Sequence, residues 1–176
     1  MRIVTCVLVL GASLAACHSS QSFRTQLQGQ LTIPGNPGGM LDAFPQISGL
    51  ANIDFNQNTD MRNVGVTKDQ VSSAIADTVQ LQITAPSTQD FRFPDNLHLF
   101  ARSGGQEVEV AQKSGIARLN LPPPNPTLGL DTTNAELKLY IAAASMSFLL
   151  RGGGTAPPVD TQITVKIGMD IQVRGY

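Results

Sequence analysis

From residue 23 onward, apolar and polar residues alternate with a period of two, the pattern of strands that bury one face and expose the other. Phe23, Thr25, Leu27, Leu31 and Ile33 share one side, Arg24, Gln26, Gln28, Gln30 and Thr32 the other, and Gly29 is a gap in the apolar row. A second long run lies near the C-terminus. There Ile163, Val165, Ile167, Met169, Ile171 and Val173 oppose Gln162, Thr164, Lys166, Gly168, Asp170 and Gln172. Shorter strands are predicted at Ile53–Asn56, Val79–Ala85, Leu97–Arg102, Val108–Gln112, Ile116–Leu121 and Ser145–Arg151. The expected fold is mainly β, an antiparallel β-sandwich of about eight strands with one or two short helices.

Turn residues separate these runs. Ser103-Gly104-Gly105 is short enough for a hairpin joining Leu97–Arg102 to Val108–Gln112. Pro34–Gly39 and Gly152–Gly154 read as loops, the latter returning Ser145–Arg151 through Pro157 and Pro158 to pair with the last strand. Pro122–Pro126 reads as a stiff polyproline II connector. Two helices are expected. Thr67-Lys68-Asp69-Gln70 has the form of a capping box, followed by the stripe Val71, Ala74 and Ile75 and an end near Asp77. Thr133-Asn134-Ala135-Glu136 repeats that form ahead of Leu137, Tyr140, Ile141 and Ala144, although Leu137, Leu139 and Ile141 also alternate as in a strand.

The first residues follow another logic. Met1-Arg2 precedes an apolar run from Ile3 to Leu10, too short to span a bilayer, and small residues lead to Leu14-Ala15-Ala16-Cys17. This string resembles the lipobox of bacterial lipoproteins. The resemblance implies that residues 1–16 are a signal peptide removed by cleavage and that Cys17 carries a diacylglycerol and a further acyl chain such as palmitate. It also implies that His18, in place of an aspartate, directs the protein to the outer membrane. Residues 17–22 would be a polar tether and 23–176 a single domain. Each buried acyl CH₂ contributes about 0.8 kcal/mol, so a multiply acylated cysteine is a durable anchor.

Composition narrows the remaining options. Cleavage leaves 160 of the 176 residues, ample for one core, with net charge −2 and nothing to attract nucleic acid. Cys6 would leave with the signal, so no disulfide is expected. The histidines are His18 and His98, and a strand would turn His98 away from Leu97 and Leu99. Two separated histidines do not form a zinc site, and there is no Gly-x-Ser-x-Gly or P-loop. No catalytic residue is assigned, and no cofactor beyond the lipid is expected. Calcium at Asp54, Asn56, Asn58 and Asp60 is a weak candidate, because Thr59 stands where an EF-hand loop needs glycine and Gly65 where it needs glutamate.

The expected function is that of a lipid-anchored accessory of the cell envelope, structural or binding a protein or a glycan, on the periplasmic or the surface side of the outer membrane. Loops Pro34–Gly39, Asn56–Asn63 and Pro122–Leu130 are the places to look for contacts. The alternative is a hydrolase using Asp54, Asp60 or Asp90. A small outer-membrane β-barrel fits less well: the apolar face is out of phase with Tyr176, and aromatics for interfacial girdles are few.

Overall fold

Strand β7 (Thr161–Val173) is the most regular amphipathic run and organises the sheet. Its inner row is buried throughout, and it is flanked on one side by β1 (Gln21–Ile33) and on the other by β2 (Val71–Ala85), both antiparallel to it. The structure, a computed structural model, describes residues 21–41 and 43–174. Tyr176, Cys17 and the other lipobox residues lie outside the described residues.

Among the described residues there are seven strands rather than eight. The others are β3 (Pro94–Ser103), β4 (Gln106–Ser114), β5 (Thr127–Thr132) and β6 (Ser147–Gly154), in the spatial order β1-β7-β2-β5-β4-β3-β6. β5 belongs to two arms of this curled sheet, pairing with β2 through Thr127–Leu130 and with β4 through Asp131 and Thr132. The inner faces of both arms feed one cluster of buried side chains, so the architecture is an antiparallel β-sandwich with its arms joined through β5.

The free edges of the arms are joined by an irregular strap. Ser48 exchanges backbone hydrogen bonds with Gln30 of β1, Leu50 O accepts from Phe148 N of β6, and Ile53 pairs with Met146. Ile47 and Leu50 of the strap are fully buried. The gap at Gly29 is explained here: a Cβ would lie 2.5 Å from Ser48 O and 2.7 Å from both Ile47 Cγ2 and Leu50 Cγ. At Gln30 and Phe148 the strap therefore occupies backbone groups of the edge strands that would otherwise be open to another chain.

Several predicted elements are corrected. The capping box at Thr67 closes only one 3₁₀ turn, Lys68–Gln70, with Thr67 N donating to Gln70 Oε1 at 2.7 Å, and the expected helix is instead the first half of β2. Register shifts at Val71/Ser73 and Ala76/Thr78 place Val71, Ala74, Ala76 and Val79 on one face. Two bulges therefore give a strand the three-residue apolar spacing of a helix. Ile53–Asn56 and Ile116–Leu121 are not strands: the 3₁₀ turn Phe55–Gln57 starts within the first and Ile116–Arg118 opens the second.

Gly152–Gly154 is no turn. These glycines are paired within β6 against β3, and β6 does not pair with β7 as expected. A Cβ on Gly152 would stand 2.1 Å from Asn96 O, so glycine serves close backbone approach. β5 was hidden in the predicted Pro122–Leu130 loop, since only Leu128 and Leu130 are buried on it. Asn125 has φ of +53°, which interrupts the polyproline II connector. The β3–β4 hairpin forms where predicted.

Helix α1 (Thr59–Asn63) was not expected; helix α2 (Lys138–Ala142) was, but it begins later than the predicted cap. Thr133 instead donates from Oγ1 to Glu109 O at 2.6 Å, beside β4. Glu136 Oε1 accepts from the amides of Ala74 at 2.8 Å and Lys138 at 2.9 Å, tying α2 to β2. Leu137 and Ile141 are buried while Leu139 is 78% exposed, which excludes the alternating reading.

Candidate functional site

Residues of β1, β7, β2 and α1 line a depression of about 330 Å³, with Arg24, Asp77, Thr78 and Gly168 from the outer face of the sheet and Asp60 and inner-row Thr25 beside them. Its geometry follows from β2's second bulge, which brings Asp77 and Thr78 over Gly168 of β7. A Cβ on Gly168 would meet Thr78 Oγ1 at 2.3 Å and Asp77 Oδ1 at 2.6 Å. Arg24 Nη2 lies 2.7 Å from Asp77 Oδ2, and Thr78 Oγ1 donates to Asp77 Oδ1 at 3.2 Å. On the other side, buried Thr25 donates from Oγ1 to Asp60 Oδ2 at 2.6 Å and accepts from Asn58 Nδ2 at 3.1 Å.

Two aspartates thus share one depression, each held by a donor from β1. Their remaining lone pairs suit a ligand that brings its own donors, such as sugar hydroxyls or an ammonium. Asp60 is a sequence-predicted residue; Arg24, Thr25 and Asp77 were not singled out, because they come from separate strands with no shared motif. Gly168, the position without a side chain on the outer row of β7, was the available signal.

The other predicted residues have local tasks. Asp54 Oδ1 accepts from Asn56 N at 2.9 Å, closing the 3₁₀ turn at Phe55–Gln57. Asn58 caps α1, its Oδ1 accepting from Met61 N at 2.9 Å. Asp90 Oδ1 accepts from Arg92 N at 3.0 Å, and its Oδ2 lies 3.3 Å from Arg92 Nε. Among the described residues no group of three His, Cys, Asp or Glu side chains is placed to hold a metal ion. His18 lies outside the described residues.

His98 points outward from β3, as its strand position requires, and its Nδ1 is 2.5 Å from Glu109 Oε1. It stacks on Phe100, whose ring is covered by the Arg151 guanidinium at 4.8 Å. Arg151 Nη2 in turn donates to Glu107 Oε1 at 2.9 Å. These contacts use Phe100 as a seat for Arg151, so its ring is not a bare stacking platform.

A third feature is the tip at the far end of the sandwich from Gln21. Asn36 N donates to Pro157 O at 2.9 Å, Ala156 N to Gly39 O at 2.8 Å, and Gly35 N to Asp160 Oδ1 at 2.8 Å. These bonds tie the predicted Pro34–Gly39 loop to the segment after β6. The tip exposes Met40, at 81%, and Val159, at 48%.

No protein-family model matches this chain, and no curated protein sequence matches it. Among solved structures it is similar to the BFDV capsid protein in its 60-mer form, with 9% identity, a TM-score of 0.44 and coverage of 92% of this chain and 96% of that one. It is also similar to a chain of Cocksfoot mottle virus, with 5% identity, a TM-score of 0.31 and coverage of 100% and 97%. A chain of the Macrobrachium rosenbergii nodavirus particle follows at 9% identity and a TM-score of 0.26, covering 99% of this chain and 94% of that one.

Proposed function

We propose that this chain is a lipoprotein of the bacterial outer membrane, anchored through Cys17, whose β-sandwich is a non-catalytic structural or binding accessory for an envelope protein or glycan. The observation that carries this reading is Leu14-Ala15-Ala16-Cys17 at the end of a short apolar run behind Met1-Arg2. The inward apolar rows and outward glutamines of β1 support an aqueous sandwich over a bilayer-spanning barrel, which needs an outward apolar band. No helix among the described residues is long and apolar enough to cross a membrane. The test is growth with an alkyne-bearing palmitate followed by mass spectrometry of the detergent-extracted protein. Lipid on Cys17, lost in Cys17→Ala together with membrane attachment, supports the reading. An unmodified Cys17 in membrane-free protein overturns it.

A second reading, a carboxylate-dependent hydrolase, is favoured by one observation, the convergence of Asp60 and Asp77 on the same depression. Screening glycoside and ester substrates with the full chain and with Asp60→Asn and Asp77→Asn separates the two. Turnover by the wild type that either variant abolishes, with unchanged melting, establishes the enzyme; no turnover leaves binding as the role of the depression.

A further inference from the structure

The end of the sandwich where the chain enters is also where α2 sits. Gln21 pairs with Val173, and Val173 with Val71, so β1 starts, β7 ends and β2 starts at one level. The 3₁₀ turn at Lys68–Gln70 precedes Val71 directly, and Lys68 Nζ donates to Ala143 O at 2.9 Å, just past α2. Leu137 N donates to Ala74 O at 2.8 Å. The β3–β4 hairpin completes this end, where Ser103, Gly104 and Gln106 line a shallow hollow of about 310 Å³ with Leu139, Tyr140 and Ala143.

Leu139 is held out into solvent on this end by a helix whose neighbouring turns are anchored by buried Leu137 and Ile141, and half-buried Tyr140 stands next to it. An exposed leucine beside a tyrosine, with its apolar ring and polar hydroxyl, suits the boundary between acyl chains and headgroups. The chain length places a bilayer close by. Only His18, Ser19 and Ser20 separate Cys17 from Gln21, so even a fully extended connection spans at most about 14 Å.

We infer that the α2 end of the sandwich rests on the bilayer, with Leu139 inserted among the lipids and Tyr140 at headgroup level, and that the distal tip is held away from it. This rests on the lipid-anchor reading. β1 and β7 run for 13 residues from the entry end, which sets the tip carrying Met40 and Val159 about 40 Å out. Anchor and α2 make two points of attachment, fixing an orientation that a lipidated tether alone leaves free.

The chain has no tryptophan, so a single one reports its own surroundings. The full chain as processed by the cell, carrying Leu139→Trp and separately Val159→Trp, is mixed with vesicles of phosphatidylethanolamine and phosphatidylglycerol, with and without bromine on the acyl chains. Flotation of each sample is measured alongside tryptophan emission. The expected result is flotation of both proteins, with at least twofold quenching and a blue shift for Leu139→Trp and neither for Val159→Trp. Flotation with unquenched Leu139→Trp, or with equal quenching at both positions, overturns the seating of α2 while leaving the anchor intact. Protein that stays at the bottom and carries no lipid overturns the anchor itself, and with it this orientation.

Discussion

Thr25 occupies a place in the inner row of β1 that is otherwise filled by apolar residues and Gly29, and its hydroxyl is spoken for twice, by Asp60 and Asn58. Thr25→Val keeps the shape and removes both bonds, leaving a carboxylate and an amide short of a partner at a part-buried site. A loss of about 1–3 kcal/mol is expected, read as a lower urea midpoint at unchanged slope. Glu136 is a different kind of polar anchor. Burial pushes its carboxyl up, but donation from Ser73 Oγ and from the amides of Ala74, Lys138 and Leu137 outweighs this and holds it below its ordinary value. Folding therefore lowers the affinity of Glu136 for a proton. Its contribution is complete above the ordinary carboxylate value of 4.5 and fades as pH falls through the lower folded value. Glu136→Gln should cost about 0.5–1 kcal/mol at pH 7, modest because the residue is exposed, and the gap to wild type in thermal melts should narrow as the medium is acidified.

Among the elements, β1 and β7 show their alternation residue by residue in the sequence, because a regular strand writes its two faces directly into the chain. The first half of β2 has a helical spacing for a physical reason. Its bulges shift the inner row by one residue twice, so Val71, Ala74, Ala76 and Val79 carry a spacing that one chain cannot distinguish from a helical stripe. The capping box at Thr67 is real but local: it satisfies the first donors of a turn, whereas β2 gains a ladder with β7 along nearly its whole length. Gly29 marks the opposite case, a gap in an otherwise regular row whose cause is another element. Gly29→Ala should destabilise the protein by about 1–3 kcal/mol, because Ser48 O is backbone and the strap carrying it is pinned to β1 and β6. The measurement is the urea midpoint, and a variant as stable as wild type would show that the strap is free to move aside.

For the molecule as a whole, the strap and the shared strand β5 turn an open sheet into a body with two distinct ends. One receives the chain at Gln21 and carries α2; the other exposes Met40 and Val159. If the accessory role is carried by a protein partner at the tip, Met40→Asp together with Val159→Asp should reduce the partner recovered by cross-linking in intact cells at least fivefold, with the amount of membrane-bound protein unchanged. Equal recovery from the variant would move attention to the depression at Asp60 and Asp77. The β class, the strands β1 and β7 with their buried faces and the β3–β4 hairpin are legible in the chain, because each of these depends on neighbours along it. The sequence also contains the motif on which the anchoring proposal rests. Long-range packing alone sets the pairing of β6 with β3, the room that glycines at 29, 152 and 168 make for other elements, and the placement of Asp60 and Asp77 at one depression. Those outcomes depend on contacts between segments far apart in sequence, where the cost of a missing or extra side chain is set by a partner that local pattern does not name.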